Sequence, residues 1–161
     1  MRKITFLVLA ATIVSGCLIE SQKKSPRPTV EQLRSVGNKM IDQMLTDRNF
    51  LGRSYPEAKR RAKERGESLP TITVDSIKSE VKGLTIYELV PLRDGLKVAL
   101  RKKGKFFIKD EQWSNIADYG LSGELTRSSD QMHYYLRLRL LDYANDNIEI
   151  WSEFIEVGEE E

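Results

Sequence analysis

The strongest constraint on the fold is an alternation of apolar and polar residues near the C-terminus. Over residues 134–140, tyrosine and leucine occupy every second position, and tyrosine or arginine stands between them. A period of two places successive side chains on opposite faces of a β-strand. Residues 145–147 read Asn-Asp-Asn, a composition that favours a tight turn before a second strand over Ile148–Val157. The sequence therefore predicts a C-terminal antiparallel hairpin.

The position of this turn predicts how the two strands pair. With a turn centred near Asn145, residues whose numbers sum to about 290 face each other. An arginine then faces a glutamate and a second arginine faces a tryptophan, and each contact contributes at most about 1 kcal/mol. The leucines lie on the face that helices cover. The opposite face is predicted to carry Tyr135, Arg137, Arg139, Trp151 and Glu153.

The chain before the hairpin alternates between helical and extended patterns. Thr29 and Gln32 have the spacing of a capping box and open an apolar stripe that indicates a helix. Further helices are predicted over residues 56–65 and 87–102. Strands are predicted over residues 70–77, 105–109 and 117–127. We expect a single domain over residues 29–158, of the α/β (α+β) class, with helices packed on one face of a sheet of about four strands.

The N-terminus has the layout of a bacterial lipoprotein signal. A positive start and an apolar stretch over residues 4–14 precede Cys17, the only cysteine. As a helix the stretch spans about 16 Å, roughly half of a hydrocarbon core, which is too short for a transmembrane anchor. The small residues before the cysteine resemble a lipobox, whose cysteine is acylated and becomes the mature N-terminus. These lipobox residues are Val14, Ser15 and Gly16.

Three segments are predicted outside the folded domain. Residues 1–16 form the signal peptide, and residues 17–28 comprise the lipidated cysteine and a short flexible linker that contains two prolines. The eleven residues that follow Cys17 reach at most about 36 to 40 Å. Leu18 replaces the aspartate that retains enteric lipoproteins in the inner membrane, so the resemblance favours the outer membrane, facing the periplasm. Residues 159–161 are expected to form a frayed acidic tail.

Composition excludes several classes of function. The chain has 26 Lys and Arg against 24 Asp and Glu, and the surplus lies in the signal as Arg2 and Lys3. The basic segment 56–65 lacks interleaved aromatic residues, so we expect no nucleic-acid partner. One histidine, His133, and one cysteine exclude a His- or Cys-rich metal centre. The expected cofactor set is therefore empty apart from the covalent lipid on Cys17.

Catalytic motifs are weak in this sequence. Ser21 and Lys24 have the Ser-x-x-Lys spacing of penicillin-binding transpeptidases, but they lie in the linker and the companion Lys-Thr-Gly element is absent. The sequence has no nucleophile elbow, phosphate loop or dinucleotide fingerprint. An envelope glycan hydrolase is an alternative, but no pair of carboxylates is a candidate for it. We therefore predict a non-enzyme without a small-molecule substrate.

The order of these features resembles the LpoB-type activators of penicillin-binding proteins. The resemblance rests on the lipobox, on residues 38–45, 99–106 and 117–123, and on residues 134–142 followed by 149–153. It implies an outer-membrane lipoprotein whose domain, related to the TolB N-terminal domain, docks on a peptidoglycan synthase and activates it. The outer face of the hairpin, with Tyr135, Arg137, Arg139, Trp151 and Glu153, is the candidate partner surface.

The linker departs from that family. Family members carry a long linker that spans the periplasm, whereas this one has eleven residues. An alternative is therefore a structural or assembly lipoprotein of the same fold, acting in the outer membrane or another envelope machine close to its anchor.

Overall fold

The computed structural model describes residues 26–110, 112 and 116–158. The predicted signal peptide, the lipobox residues Val14, Ser15 and Gly16, Cys17, most of the linker and the acidic tail lie outside the described residues. Within the described part, no helix has the length and apolar character needed to cross a bilayer.

The first helix begins where the sequence predicts. α1 spans Val30–Met44, and its capping box is present: the Gln32 amide donates to Thr29 Oγ1 at 3.1 Å, and the Thr29 amide donates to Gln32 Oε1 at 2.8 Å. The helix ends a few residues before the predicted fade near Asp47. Its apolar stripe, which includes Met40 and Ile41, is buried.

Two more helices follow. A π-helical turn precedes the first of them, and a 3-10 turn precedes the second. α2 spans Tyr55–Glu64 after a π-helical turn over Phe50–Ser54. α3 spans Val90–Lys103 after a 3-10 turn over Ile86–Leu89, and it ends at Gly104, whose φ of 61° lies in the left-handed region that glycine tolerates. Both helices confirm the segments predicted from the sequence.

The sheet is mixed and has six strands rather than about four. Its central path runs in the order β3-β1-β4-β5-β6, and the short β2 pairs with the second half of β4. β1 is parallel to β3 and β4, whereas β5 is antiparallel to both of its neighbours, β4 and β6. The strands are β1 Thr71–Val74, β2 Lys78–Ser79, β3 Phe107–Lys109, β4 Tyr119–Arg127, β5 Tyr134–Asp142 and β6 Ile148–Val157.

The helices cover the apolar face of this sheet, as the α/β prediction requires. α1 packs against β5 and β6, and α3 packs against β1 and β3. Leu136, Leu138 and Leu140 of β5 lie on the face that α1 covers and are fully buried. At one end of the sheet, Phe50 packs edge-on against Tyr119, with ring centroids 5.7 Å apart, and Phe106 closes the same cluster. One continuous core results, which confirms a single α/β domain.

The predicted pairing of the hairpin is wrong over most of its length. Next to the turn, Leu141 faces Glu149, as the predicted sum requires. The register then shifts at a bulge, because Leu140 faces Trp151 and leaves Ile150 without an opposite residue. An extra residue in one strand moves every later pair by one position.

This shift exchanges the two faces of β6, because side-chain direction has a period of two. Arg137 faces Phe154 instead of Glu153, and Arg139 faces Ser152 instead of Trp151. Trp151 is 8% exposed and packs in the core opposite a leucine. Placing Trp151 and Glu153 on the outer face was therefore an error.

Candidate partner-binding surface

The exposed surface of the hairpin is defined by the corrected register. Tyr135, Arg137 and Arg139 of β5 lie on the outer face, as predicted. The residues of β6 that pair with them share that face. In the predicted set, Trp151 and Glu153 therefore give way to Ser152 and Phe154. We call the resulting set the outer hairpin face: Tyr135, Arg137, Arg139, Ser152, Phe154 and Glu156.

Two aromatic rings form the centre of this face. Tyr135 and Phe154 are diagonal neighbours on adjacent strands, and their rings stack with centroids 4.7 Å apart and an interplanar angle of 13°. Phe154 is 55% exposed, so half of a large apolar side chain faces solvent. Such a pair contributes about 0.5 to 1.5 kcal/mol beyond its buried area. The pair is therefore ordered and yet accessible to a partner.

His133 supports one side of this aromatic pair. Its ring lies 6.5 Å from that of Tyr135, and Nδ1 contacts Glu156 Oε1 at 2.5 Å. Both side chains are about half exposed, so the contact adds little stability. The only histidine thus has the exposed structural position that the sequence indicated.

Arginine side chains flank the other side. Arg137 Nη2 lies 3.5 Å from Glu149 Oε1, an exposed pair that replaces the predicted contact with Glu153. A shallow depression of about 380 Å³ lies between Arg137, Ser152, Glu153 and Phe154. Aromatic residues and arginine are the types that most often dominate binding energy at protein interfaces.

Tyr143 covers part of the outer sheet face, above Gly120. Its hydroxyl donates to Asp75 Oδ2 at 2.9 Å, and the ring crosses over Gly120. A Cβ at Gly120 would lie 2.0 Å from the Tyr143 hydroxyl oxygen, so only glycine permits this crossing. Thr71 and Thr73 are also buried on this side. The outer face thus has a covered part near Gly120, while the hairpin and the exposed Phe107 on β3 remain accessible.

A buried ionic network, which sequence reasoning missed, joins α2 to the start of the sheet. Asp118 is 2% exposed, and its Oδ2 accepts from Arg65 Nη2 at 2.6 Å and from the Thr71 amide at 2.9 Å. Burial opposes ionisation of Asp118, but the hydrogen bonds from Arg65 and Thr71 outweigh it and hold the pKa of this carboxyl below its usual value. The carboxylate is therefore ionised at neutral pH and fully engaged.

Asp142 completes the network at the end of β5. Arg61 lies between the two acids, with Nη2 at 3.4 Å from Asp142 Oδ1 and Nε at 3.6 Å from Asp118 Oδ1. Asn145 Nδ2 also donates to Asp142 Oδ2 at 2.8 Å. Burial raises the pKa of Tyr119, whose hydroxyl lies 3.0 Å from Ser54 Oγ. These groups hold one another, so the network ties α2 to the sheet rather than presenting a free acid or base.

The sequence contains no local signal for this network. The arginines and the carboxylates that it connects are separated by tens of positions in the sequence. Each of the two aspartates has the local sequence context of an ordinary residue at a strand end. Among residues 26–110, 112 and 116–158, no group of three or more His, Cys, Asp and Glu side chains has the arrangement of a metal site.

Comparisons with known proteins find likeness of fold. The chain matches no protein-family model and no curated protein sequence. Among solved structures it is similar to the LpoB C-terminal domain from Salmonella enterica, at 18% identity over 69% of this chain and 99% of that one, with a TM-score of 0.43. The LpoB C-terminal domain from Escherichia coli is similar at 18% identity over 67% and 97% of the two chains, with a TM-score of 0.44.

A lipoprotein of another organism also aligns with the chain. Lipoprotein GNA1162 from Neisseria meningitidis has 14% identity over 55% of this chain and 80% of that one, with a TM-score of 0.41. At these identities and TM-scores the likeness concerns the fold alone and carries no residue role or partner across. The LpoB-type fold that the sequence resembles is thus among the solved folds to which this chain is similar.

Proposed function

We propose that the chain is a lipoprotein, anchored through Cys17 in the outer membrane, whose domain binds and activates a penicillin-binding protein in the periplasm. The observation that carries this proposal is the stacked Tyr135–Phe154 pair, exposed beside arginines on the outer hairpin face. The lipobox and the sequence resemblance to LpoB-type activators support it. The domain acts by binding, without chemistry of its own.

Activation then requires that docking favours one state of the synthase. A bound protein shifts a conformational equilibrium only by the difference between its affinities for the two states. A tenfold rise in the active population takes about 1.4 kcal/mol of that difference. A single buried aromatic residue at an interface contributes about 2 kcal/mol or more. The pair Tyr135 and Phe154 is therefore large enough to supply the preference.

The test measures binding and stimulation together. The mature lipoprotein is titrated against a class A penicillin-binding protein of the same organism, and the rate of glycan polymerisation is recorded. Phe154→Ser is expected to weaken binding at least tenfold, because an interface aromatic residue contributes about 2 kcal/mol or more. Phe107→Ser is the matched control: Phe107 is 49% exposed and lies on β3, the opposite edge of the sheet.

Three outcomes decide this proposal. Loss of binding with Phe154→Ser and retention with Phe107→Ser support it. Equal loss with both variants removes the outer hairpin face as the docking surface. If the wild-type lipoprotein neither binds the synthase nor changes its polymerisation rate, the assigned partner is wrong.

A second candidate function is favoured by the way the linker joins the domain. Arg27 Nη1 donates to the Gly83 carbonyl at 3.2 Å, so the chain is already attached to the domain at this residue. The segment from Cys17 to Pro26 extends at most about 30 to 32 Å. A short reach suits a structural or assembly lipoprotein that works close to its own membrane.

Lengthening the tether distinguishes the two functions. A flexible Gly/Ser insert before Pro26 is expected to preserve or increase function if the partner stands on the opposite membrane. The same insert is expected to abolish function if the domain must stay near its anchor. Cell shape and growth of a strain that depends on the variant provide the measurement, and an equally long insert after Gly158 is the control.

A further inference from the structure

One end of the domain gathers the attachment of the tether and two loops. Arg27 binds the carbonyl of Gly83, in the loop that follows β2. β4 ends at Arg127 and β5 begins at Tyr134, which faces it across the strand pair. Near the start of α1, Gln32 Nε2 donates to the Gly158 carbonyl at 3.3 Å. We call this region the tether end.

The tether end contains a cavity with an excess of cations. Its volume is about 760 Å³, and it lies between the loop after β2 and the loop that joins β4 to β5. Arg27, Lys82 and Arg127 line it, against one lining carboxylate, Glu80. A positively charged cavity of this size admits an anionic group such as phosphate.

Arg127 has an unused hydrogen-bond donor at this cavity. Its guanidinium lies over the Tyr134 ring at 4.8 Å from the centroid, which holds the group in place. Its Nε is buried and has no hydrogen-bond partner. Because this Nε is closed to solvent, a phosphate from outside could bind only the other nitrogens of the guanidinium.

Other carboxylates near this end are occupied by local contacts. Glu88 Oε2 accepts from the Thr85 amide at 2.7 Å, and it also interacts electrostatically with Arg27. Asp130 Oδ1 accepts from the Met132 amide at 2.9 Å. These hydrogen bonds lower the pKa of both carboxyls, so Glu88 and Asp130 stay ionised and offset part of the positive charge at this end.

Two exposed apolar side chains stand next to this cationic cavity. The 3-10 turn that begins α3 presents Ile86, which is 49% exposed, and Tyr87, which is 82% exposed. The turn directly follows the loop that lines the cavity, and it contains Glu88, which interacts electrostatically with Arg27. Tyrosine beside cationic residues is typical of protein segments that lie at a membrane surface.

We propose that the tether end rests on the anchoring membrane, with Arg27, Lys82 and Arg127 on phospholipid phosphates and Ile86 and Tyr87 in the interfacial layer. The inference rests on the lipidation of Cys17, which is part of the proposed function. A tether of at most about 32 Å limits how far the domain can move from the membrane surface. β4, β5 and β6 extend from this end, and the outer hairpin face begins beside it at Tyr135 and Glu156.

Site-directed spin labels test this orientation on the full lipidated chain. Acylation consumes the only native thiol, so Tyr87→Cys supplies a unique labelling site, and intact mass confirms the lipid. Phe107→Cys is the control, because Phe107 is exposed and pairs near the start of β1, at the other end of the sheet. Both proteins are reconstituted in vesicles of phosphatidylethanolamine and phosphatidylglycerol.

The label at position 87 is expected to collide several-fold less with a water-soluble nickel chelate, and more with oxygen, than the label at 107. Adding Lys82→Gln or Arg127→Gln is expected to reduce, about 5-fold each, the population in which the tether end contacts the membrane. The reason is that a cation at an anionic surface contributes about 1 kcal/mol. Equal nickel accessibility at both positions overturns the proposal. So does equal protection in vesicles of a glycolipid that lacks phosphate.

A second arm separates a lipid headgroup from free phosphate. The same chain in neutral detergent micelles is titrated with inorganic phosphate while the Arg127 side-chain NMR signal is followed. A response to phosphate without protection of position 87 in vesicles assigns the cavity to free phosphate and overturns the membrane contact. Failure of this inference leaves the partner proposal intact, because Phe154 and the synthase assay are independent of the tether end.

Discussion

The substitution Asp118→Asn tests the buried network that joins α2 to the sheet. Asp118 accepts from Arg65 and from the amide and hydroxyl of Thr71, and Arg61 lies 3.6 Å away. Breaking a buried ion pair costs about 3 to 5 kcal/mol. Arg65 is 40% exposed and remains partly solvated, so we expect a loss of about 2 to 4 kcal/mol in the free energy of unfolding.

Urea unfolding followed by circular dichroism at pH 7 measures this loss. A cost near 3 kcal/mol lowers the melting temperature by about 10 °C for a domain of this size. Asp94→Asn is the matched control, since Asp94 pairs with Arg93 at 3.4 Å but is 54% exposed, and we expect a change below about 0.5 kcal/mol. If Asp118→Asn costs less than about 1 kcal/mol, or no more than its control, the network does not stabilise the fold as argued.

The same variant has a defined dependence on pH. The folded-state pKa of Asp118 lies below its ordinary value of 3.8, so its contribution to stability is present above that pH. It is lost as the pH falls through the folded-state pKa. The gap between the wild-type protein and Asp118→Asn should therefore narrow below about pH 4. A gap that stays constant down to acid unfolding would contradict the assigned ionisation.

Two further substitutions test the sheet. Gly120→Ala is expected to cost about 1 to 3 kcal/mol in thermal unfolding, because its Cβ would displace Tyr143, whereas Gly52→Ala, with nothing within 4 Å of its Cβ, should be neutral or slightly stabilising. Trp151→Ala is expected to cost about 3 to 5 kcal/mol and Phe154→Ala less than about 1.5 kcal/mol. If Phe154→Ala costs more than Trp151→Ala, the result would support the strand pairing without a bulge and contradict the structure.

Several elements of the fold follow from short-range patterns. The alternation over residues 134–140 predicts a strand with a buried leucine face, and the spacing of Thr29 and Gln32 predicts the start of α1. Each pattern depends on residues only a few positions apart, so it can be recognised from the sequence alone. The strand predicted over residues 70–77 is shorter in the structure: β1 ends at Val74, and the short β2 begins only at Lys78, beyond the predicted segment.

The outer hairpin face could be predicted only in part. Tyr135, Arg137 and Arg139 lie where the alternation placed them, but the bulge at Ile150 exchanged Trp151 for Phe154. A bulge responds to the packing of β6 against β5 and α1, which the composition of the turn does not encode. The lipidation of Cys17 stays a prediction, because that residue lies outside the described part of the chain.

By itself, the sequence determined the class of the fold, the positions of its helices and most of its strands, and the signal that predicts a lipid anchor. The tertiary structure alone decided which faces of the hairpin are exposed, how Asp118 and Asp142 hold Arg61, and which cations share the cavity beside Arg127. The physical reason is range. Helix caps and strand alternation depend on residues a few positions apart, whereas register, buried ion pairs and cavities depend on residues that only the folded chain brings together.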